Sequence, residues 1–372
     1  MQATNKTSNS RSFKYEVKRY INAAKRFMKS FYFWQWRKSA FLTNEARVAG
    51  VQFFGNPDNK ALLTALLGVN GEKNVENTAL ENKVLITDFP IPNALCIPAT
   101  LTTIVPLNRS VEDILATYSR SLRRSIVGQR AQYRYETVNA LDKITATENE
   151  MLKPYANARH ESAHHLALDT VINLATSNYG RLDLLYLGEE AVGCHLGNAY
   201  ERQGKNYWHV NRFGYPVNIY SDYKHWGEVN SMNLHLALEA AINGGYDFID
   251  YGGSLARPGA GLIEWKRRRK GFLAEDYGAY FYLKFPKSGA QHFFWDSPLF
   301  NIENHQVVLH LGVPEDKTDE EVMARYHEMG YGGLYKVYLH CNRTLNDSLV
   351  EAVRALYADQ EKPPMIITYT TS

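Results

Sequence analysis

The chain has 372 residues, 45% hydrophobic and 22% charged, with a formal net charge of +3. That profile suits a folded chain of two domains, or two with an appendage, and the net charge is too small to imply nucleic acid by itself. Three distant cysteines, Cys96, Cys194 and Cys341, form no CxxC or CxxH pair, which argues against a disulfide scaffold and a zinc site and fits a reducing cytoplasm.

The N-terminus has no signal-peptide apolar core, and no run reaches the roughly 18 apolar residues that a membrane helix needs. Residues 11–38 instead carry nine basic residues against one acid, Glu16. Phe13, Val17, Tyr20, Ile21, Ala24, Phe27, Met28 and Phe31 recur at steps of three and four, the pattern of a basic amphipathic helix. Such an arm either docks on the protein's own body or contacts a membrane surface.

Residues 45–60 read as mixed strand and turn, and 61–69 as a short apolar helix. Residues 83–92 read as a strand entering a Pro-bounded turn, and TLTTIVPL (100–107) as an alternating strand. Ser110 caps a helix expected to run through VEDILATYSRSLRRSIVGQRAQY, with Glu112 and Asp113 in its first turn. YRYETV (133–138) is a strand, and residues 147–177 are largely helical. Residues 182–214 read as three strands joined by turns at 188–190 and 202–204. Residues 228–243 read as a helix with an apolar stripe at Met232, Leu236 and Ala240, stopped by Gly244-Gly245. DFIDY is a strand, and so is GAYFYLKF. The tail alternates strand, helix, strand, helix, strand, a small α/β unit.

From residue 182 the order is hairpin, third strand, helix, strand, turn, short helix, strand. Its carriers are the basic helix after TLTTIVPL, the hairpin LLYLGEEAVGCHLGNAY, the aromatic strand NYWHVNRFGY, and GGYDFIDYGGS…GLIEWKRRRKG. Over residues 100–285 the sequence resembles the FemAB-like branch of the GNAT acyltransferase superfamily. The resemblance implies an α/β (α+β) fold with two GNAT-like halves around mixed sheets. The expected division is an arm at 1–44, halves at 45–150 and 151–290, and a C-terminal unit at 291–372. It also implies transfer of an acyl or aminoacyl group to an amine on a lipid, glycan precursor, amino acid or peptide. The donor would be acyl-CoA, an acyl carrier protein or an aminoacyl-tRNA, with no metal.

In such a fold two parallel strands splay and the donor threads between them, here Tyr207–Arg212 and Phe248–Tyr251. Donor phosphates would sit on amides of the following helix, expected to start near Gly227. Lys224-His225-Trp226-Gly227-Glu228-Val229 keeps the central Gly of the acetyltransferase signature but ends on Val, which weighs against coenzyme A. The Trp265-Lys266 pair matches the family's Phe-Lys position, where Lys stabilises the donor end and the developing charge. In a helix Leu262, Trp265, Lys266 and Arg269 share a face, so Lys266 either points into the cleft or joins Arg267, Arg268 and Lys270 in a solvated basic run.

Amine acylation needs a base and an oxyanion holder. His209 shares a strand face with Tyr207 and Asn211, and is either the base or a packed core histidine. Asp250 either braces the turn or orients the acceptor amine, with Tyr251 beside it. Arg120, Arg123 and Arg124 fall on one helix face and either grip phosphates or face water. His160, His164 and His165 lack an HExxH frame and read as a surface helix, or as an acceptor-site role for His164 or His165. Tyr251-Gly252-Gly253-Ser254 is not a dinucleotide loop. A nucleic-acid module, supported by the basic arm and basic run, and a catalytically dead scaffold are the rivals. The expected location is cytoplasmic, with the arm offering peripheral contact at the inner membrane face.

Overall fold

In this computed structural model, residues 21, 46–48, 51–68, 84–160, 166–285 and 289–370 are described. The fold is of the α/β class expected from sequence. Contacts divide the described residues into two compact units, one within 104–252 and the other within 46–103 and 253–370. Two strands, β5 (Thr100–Pro106) and β10 (Phe248–Leu255), carry the chain from one unit to the other.

In the first unit the strand order is β5-β10-β9-β8-β7-β6, with β6 Tyr133–Val138, β7 Gly180–Leu187, β8 Glu190–Arg202 and β9 Lys205–Gly214. Strands β6 to β9 pair antiparallel in sequence, β7–β8 and β8–β9 through short turns and β6–β7 across a helical segment, whereas β9 and β10 pair parallel across the helix Tyr223–Asn243. Val138, Ile144, Leu152, Val171, Leu182, Cys194 and Leu196 form an apolar core of this unit.

Ser110 caps its helix as expected, accepting from Asp113 N at 3.1 Å. That helix is not continuous: it stops at Ala116, and a second runs Arg120–Gln129. Ser119 makes the break, because its extended backbone and its Oγ, which accepts from Leu122 N, begin a new helix. The helical region placed at 147–177 starts earlier, at Leu141, and passes through a π-helical turn at Glu148–Leu152 before Lys153–His160 and Leu168–Ala175.

The second unit holds the first half of β5, the end of β10, and β11 (Phe272–Glu275), in the order β11-β5-β10. A five-stranded sheet runs β1-β2-β3-β12-β4, with β1 Ala46–Val48, β2 Val51–Phe54, β3 Leu85–Thr87, β4 Leu95–Pro98 and β12 Tyr280–Lys284. A four-stranded sheet runs β13-β14-β15-β16, with β13 Leu299–Glu303, β14 Gln306–Val313, β15 Leu334–Cys341 and β16 Met365–Thr370. Its last three strands are parallel, and helices Asp319–Tyr326 and Asp347–Ala355 make the crossovers. QVVLHLGV is buried from Val307 to Val313, as parallel strands covered on both faces are. Thr318 and Glu321 close a reciprocal capping box at the first crossover helix.

Among the described residues no helix is long and apolar enough to cross a membrane. The basic arm read at 11–38 lies outside the described residues, apart from an exposed Ile21.

Candidate active site

The first unit gathers its chemistry where β9 and β10 part. Their parallel pairing runs Phe248↔Tyr207, Ile249↔Trp208 and Asp250↔His209, and stops there. Beyond it, Val210–Gly214 of β9 no longer pairs with β10. The cause is local. Gly252 takes φ +73°, a left-handed bend that an L side chain rarely adopts, and its N–H donates to Asp250 Oδ1 at 2.8 Å.

Asp250 is buried and its second oxygen is shared. Oδ2 accepts from Tyr200 Oη at 2.9 Å and lies 3.2 Å from His209 Nδ1. A carboxylate on Nδ1 fixes the tautomer, placing the proton there and the lone pair on Nε2. The His209 side chain keeps 29% exposure, against 8% for Asp250, so the imidazole is the part of the pair that solvent or substrate reaches. Tyr200, Tyr207 and Phe248 stack across three strands at centroid spacings of 4.9 and 4.8 Å, and Tyr200 meets the His209 ring edge-on at 6.2 Å. These rings limit how the imidazole can turn. Asn211 Nδ2 donates to Asn198 Oδ1 at 3.2 Å, and Asn198 is the strand partner of His209.

His209 and Asp250, read separately from sequence as a base and as a turn brace or amine orienter, lie in contact, and Asp250 holds both the Gly252 amide and the imidazole. Tyr200 was not anticipated, although the hairpin turn at 203–204 sets it opposite Tyr207. Tyr207 and Tyr251 are buried rather than open to solvent.

The helix expected to start near Gly227 starts at Tyr223. Asp222 caps it, accepting from Lys224 N at 3.0 Å and His225 N at 3.2 Å. Gly227 thus lies in the helix body. The first amides are occupied by a carboxylate, whose charge opposes a phosphate at that end. The Lys224 side chain is exposed.

Arg123 and Arg124 are exposed and, among the described residues, form no ion pair; Arg120 is exposed as well. Arg130, read on the same helix, is instead taken up by Glu239 through Nε and Nη2. Burial opposes ionisation of Glu239, yet His235 and Arg130 pull its pKa down to about 2. His160 ends a helix, and His164 and His165 lie outside the described residues. Cys194 and Cys341 are buried, and burial raises both thiols, so neither is an activated nucleophile. Among the described residues no cluster of three or more His, Cys, Asp or Glu is placed to hold a metal ion.

In the second unit the basic run divides. Helix Gly261–Arg267 buries Lys266 to 2% exposure, and its ammonium donates to the Gly253 carbonyl at 3.3 Å. Arg269 is buried too, its guanidinium 3.7 Å from the Trp265 ring centroid. Leu262, assigned by helical spacing to the Lys266 face, is 49% exposed. Arg267 pairs with Glu264, Lys270 pairs with Asp359, and Arg268 is exposed.

No family model matches the chain, and no curated protein matches it. It is similar to a solved structure of FemX at 12% identity, with a TM-score of 0.38, over 53% of this chain and 64% of that one. It is also similar to L-PGS from Bacillus licheniformis, at 13% identity and a TM-score of 0.35, over 66% and 80% of the two chains. A GCN5-related N-acetyltransferase from Anabaena variabilis ATCC 29413 matches at 10% identity and a TM-score of 0.27, over 87% and 84%. The chain thus spans less than two thirds of the FemX structure. All three TM-scores lie below 0.5, and none of the matches names a substrate for this chain.

Proposed function

We propose that this protein is an N-acyltransferase that moves an acyl or aminoacyl group from an activated ester or thioester to an amine. The reading is carried by one observation: the β9–β10 ladder ends at a buried Asp250 that holds the Nδ1 face of a partly exposed His209. The amine nitrogen attacks the donor carbonyl and forms a C–N bond. His209 Nε2 takes the proton that the nitrogen must lose, and the C–S or C–O bond breaks. The proton then passes to the departing thiolate or alkoxide. Asp250 steadies the imidazolium formed on the way, and Tyr200 steadies Asp250.

Lys266 is assigned a positioning role, bracing the outgoing end of β10 through Gly253, because its ammonium is buried on a backbone carbonyl. The Asp222 cap disfavours donor phosphates at the Tyr223 helix end, so Gly227 and Lys224 are not taken as a phosphate site. Acyl-CoA, acyl carrier protein and aminoacyl-tRNA all remain donors to test. Exposed Arg123 and Arg124 are the candidates for donor phosphates in that panel. The test is transfer of a labelled acyl group from each donor to a mixed amine pool, read by intact-product mass spectrometry. Turnover that requires His209 supports the reading, and no N-acylated product from any donor sinks it.

A further inference from the structure

Arg212 lies three residues beyond His209 on β9, and simple alternation would put the two on opposite faces. The register says otherwise. Asn198 pairs with His209 and Leu196 pairs with Arg212, while Gly197 pairs with Val210, leaving Asn211 as an extra residue. Leu196 and Asn198 are two apart on β8 and share a face, so their partners do too. A β-bulge therefore turns Arg212 onto the His209 face, roughly 7 Å along the strand.

The Arg212 side chain is 8% exposed. Its Nη1 reaches Glu148 Oε2 at 3.2 Å and Oε1 at 3.4 Å. Its Nη2 is buried and has no hydrogen-bond partner among the described residues. Glu148 opens the π-helical turn Glu148–Leu152. Two irregular devices, a bulge and a π-turn, thus meet at one ion pair, and both recur at functional sites. A buried guanidinium donor without an acceptor is uncommon in native proteins.

We infer that Arg212 is a specificity-determining residue that donates from Nη2 to an uncharged carbonyl oxygen of the acceptor. The inference rests on the reading of His209 as the base, since that puts the attacking amine over His209 and its flanking atoms toward Arg212. Glu148 already balances the Arg212 charge, so a carboxylate or phosphate would bring a second anion beside it. The acceptor class is therefore an amine with an amide or ester carbonyl a few bonds away.

Arg212→Lys keeps a cation for Glu148 and removes the second nitrogen of the guanidinium fork. Its test compares kcat/KM for alaninamide, alanine and isopropylamine in the full chain, wild type against variant, using the donor that gives turnover. Taking the ratio between proteins cancels the amines' own basicity. Wild type should favour alaninamide over both others, and the variant should lose about tenfold or more of that preference, mainly through KM. No preference in wild type, or the same preference in the variant, overturns the inference. If Arg212→Lys does not fold, Glu148→Gln/Arg212→Gln keeps the pocket neutral and is held to the same outcome. Calorimetric binding of alaninamide separates the two readings. His209→Ala should lower kcat by about 10²–10⁴ but keep this binding, whereas transfer that does not depend on His209 removes the base and leaves the Arg212 result standing.

Discussion

Acidification should destabilise this protein through buried neutral histidines. In the four-stranded sheet His310 Nε2 lies 2.9 Å from Asn301 Oδ1, and His310 Nδ1 lies 2.8 Å from His340 Nε2. The Asn301 oxygen must accept, so His310 carries its proton on Nε2 and His340 donates from Nε2 to His310 Nδ1. His340 Nδ1 is then the basic nitrogen left, and it is buried without a partner. Phe294 stacks on both rings at 5.1 and 4.3 Å, and Tyr338 stacks on His310 at 5.0 Å. Burial lowers the His340 pKa to about 4, and burial with repulsion from His340 holds that of His310 well below the ordinary histidine value. A histidine pKa depressed in the folded state means that the unfolded chain binds more protons between the two values. Stability is then full above about pH 6.5 and falls as the pH drops toward 4. At pH 5 protonating His340, from about 6.5 unfolded to about 4 folded, costs ~2 kcal/mol. His195 in the first unit, pushed down to about 3 by burial and by Arg181, adds a similar ~2 kcal/mol. Urea unfolding at pH 7.5 and pH 5, on wild type and His310→Leu/His340→Leu, checks this. The double variant should lose less stability on acidification by about 2 kcal/mol or more. Equal acid slopes in both proteins would refute the neutral pair.

Other substitutions separate chemistry from scaffolding. Asp250→Asn should lower kcat by about a hundredfold or more while the chain stays folded, because Nδ1 loses its anionic partner. Tyr200→Phe should cost about tenfold, the worth of one hydrogen bond to a carboxylate, in the same steady-state assay. Lys266→Met should lower unfolding free energy by about 1–3 kcal/mol, with activity falling alongside. Activity lost at unchanged stability would instead put Lys266 on the donor. Gly312→Ala should destabilise the C-terminal sheet by more than about 3 kcal/mol, since its Cβ would lie 1.9 Å from Gln291 O and 2.3 Å from Trp295 N, backbone atoms that cannot yield; thermal denaturation reads it.

The sequence was most legible where one force dominates. QVVLHLGV and MIITYT run Gln306–Val313 and Met365–Thr370, as apolar runs between turn signals predict. YRYETV matches β6 for the same reason. Short elements were missed, among them β11, β13 and the helix Ala290–Asp296, because few residues give little periodicity. The helix start at Tyr223 could have been found: Asp222 is a good N-cap, but the apolar stripe that begins at Met232 drew the boundary inward. His209 and Asp250 were legible as strand residues, and their contact was not, since parallel register between strands about forty residues apart leaves no local mark. Lys266 was singled out by its neighbours, while its burial on Gly253 is a tertiary fact. Arg212 was invisible as a site residue because a bulge reverses the face that alternation assigns.

The most direct measurement is kcat of His209→Ala on the donor that gives turnover, with unfolding free energy measured on the same sample. His209 as base predicts a fall of about 10²–10⁴ in kcat at near wild-type stability. Activity within a few-fold of wild type would contradict it.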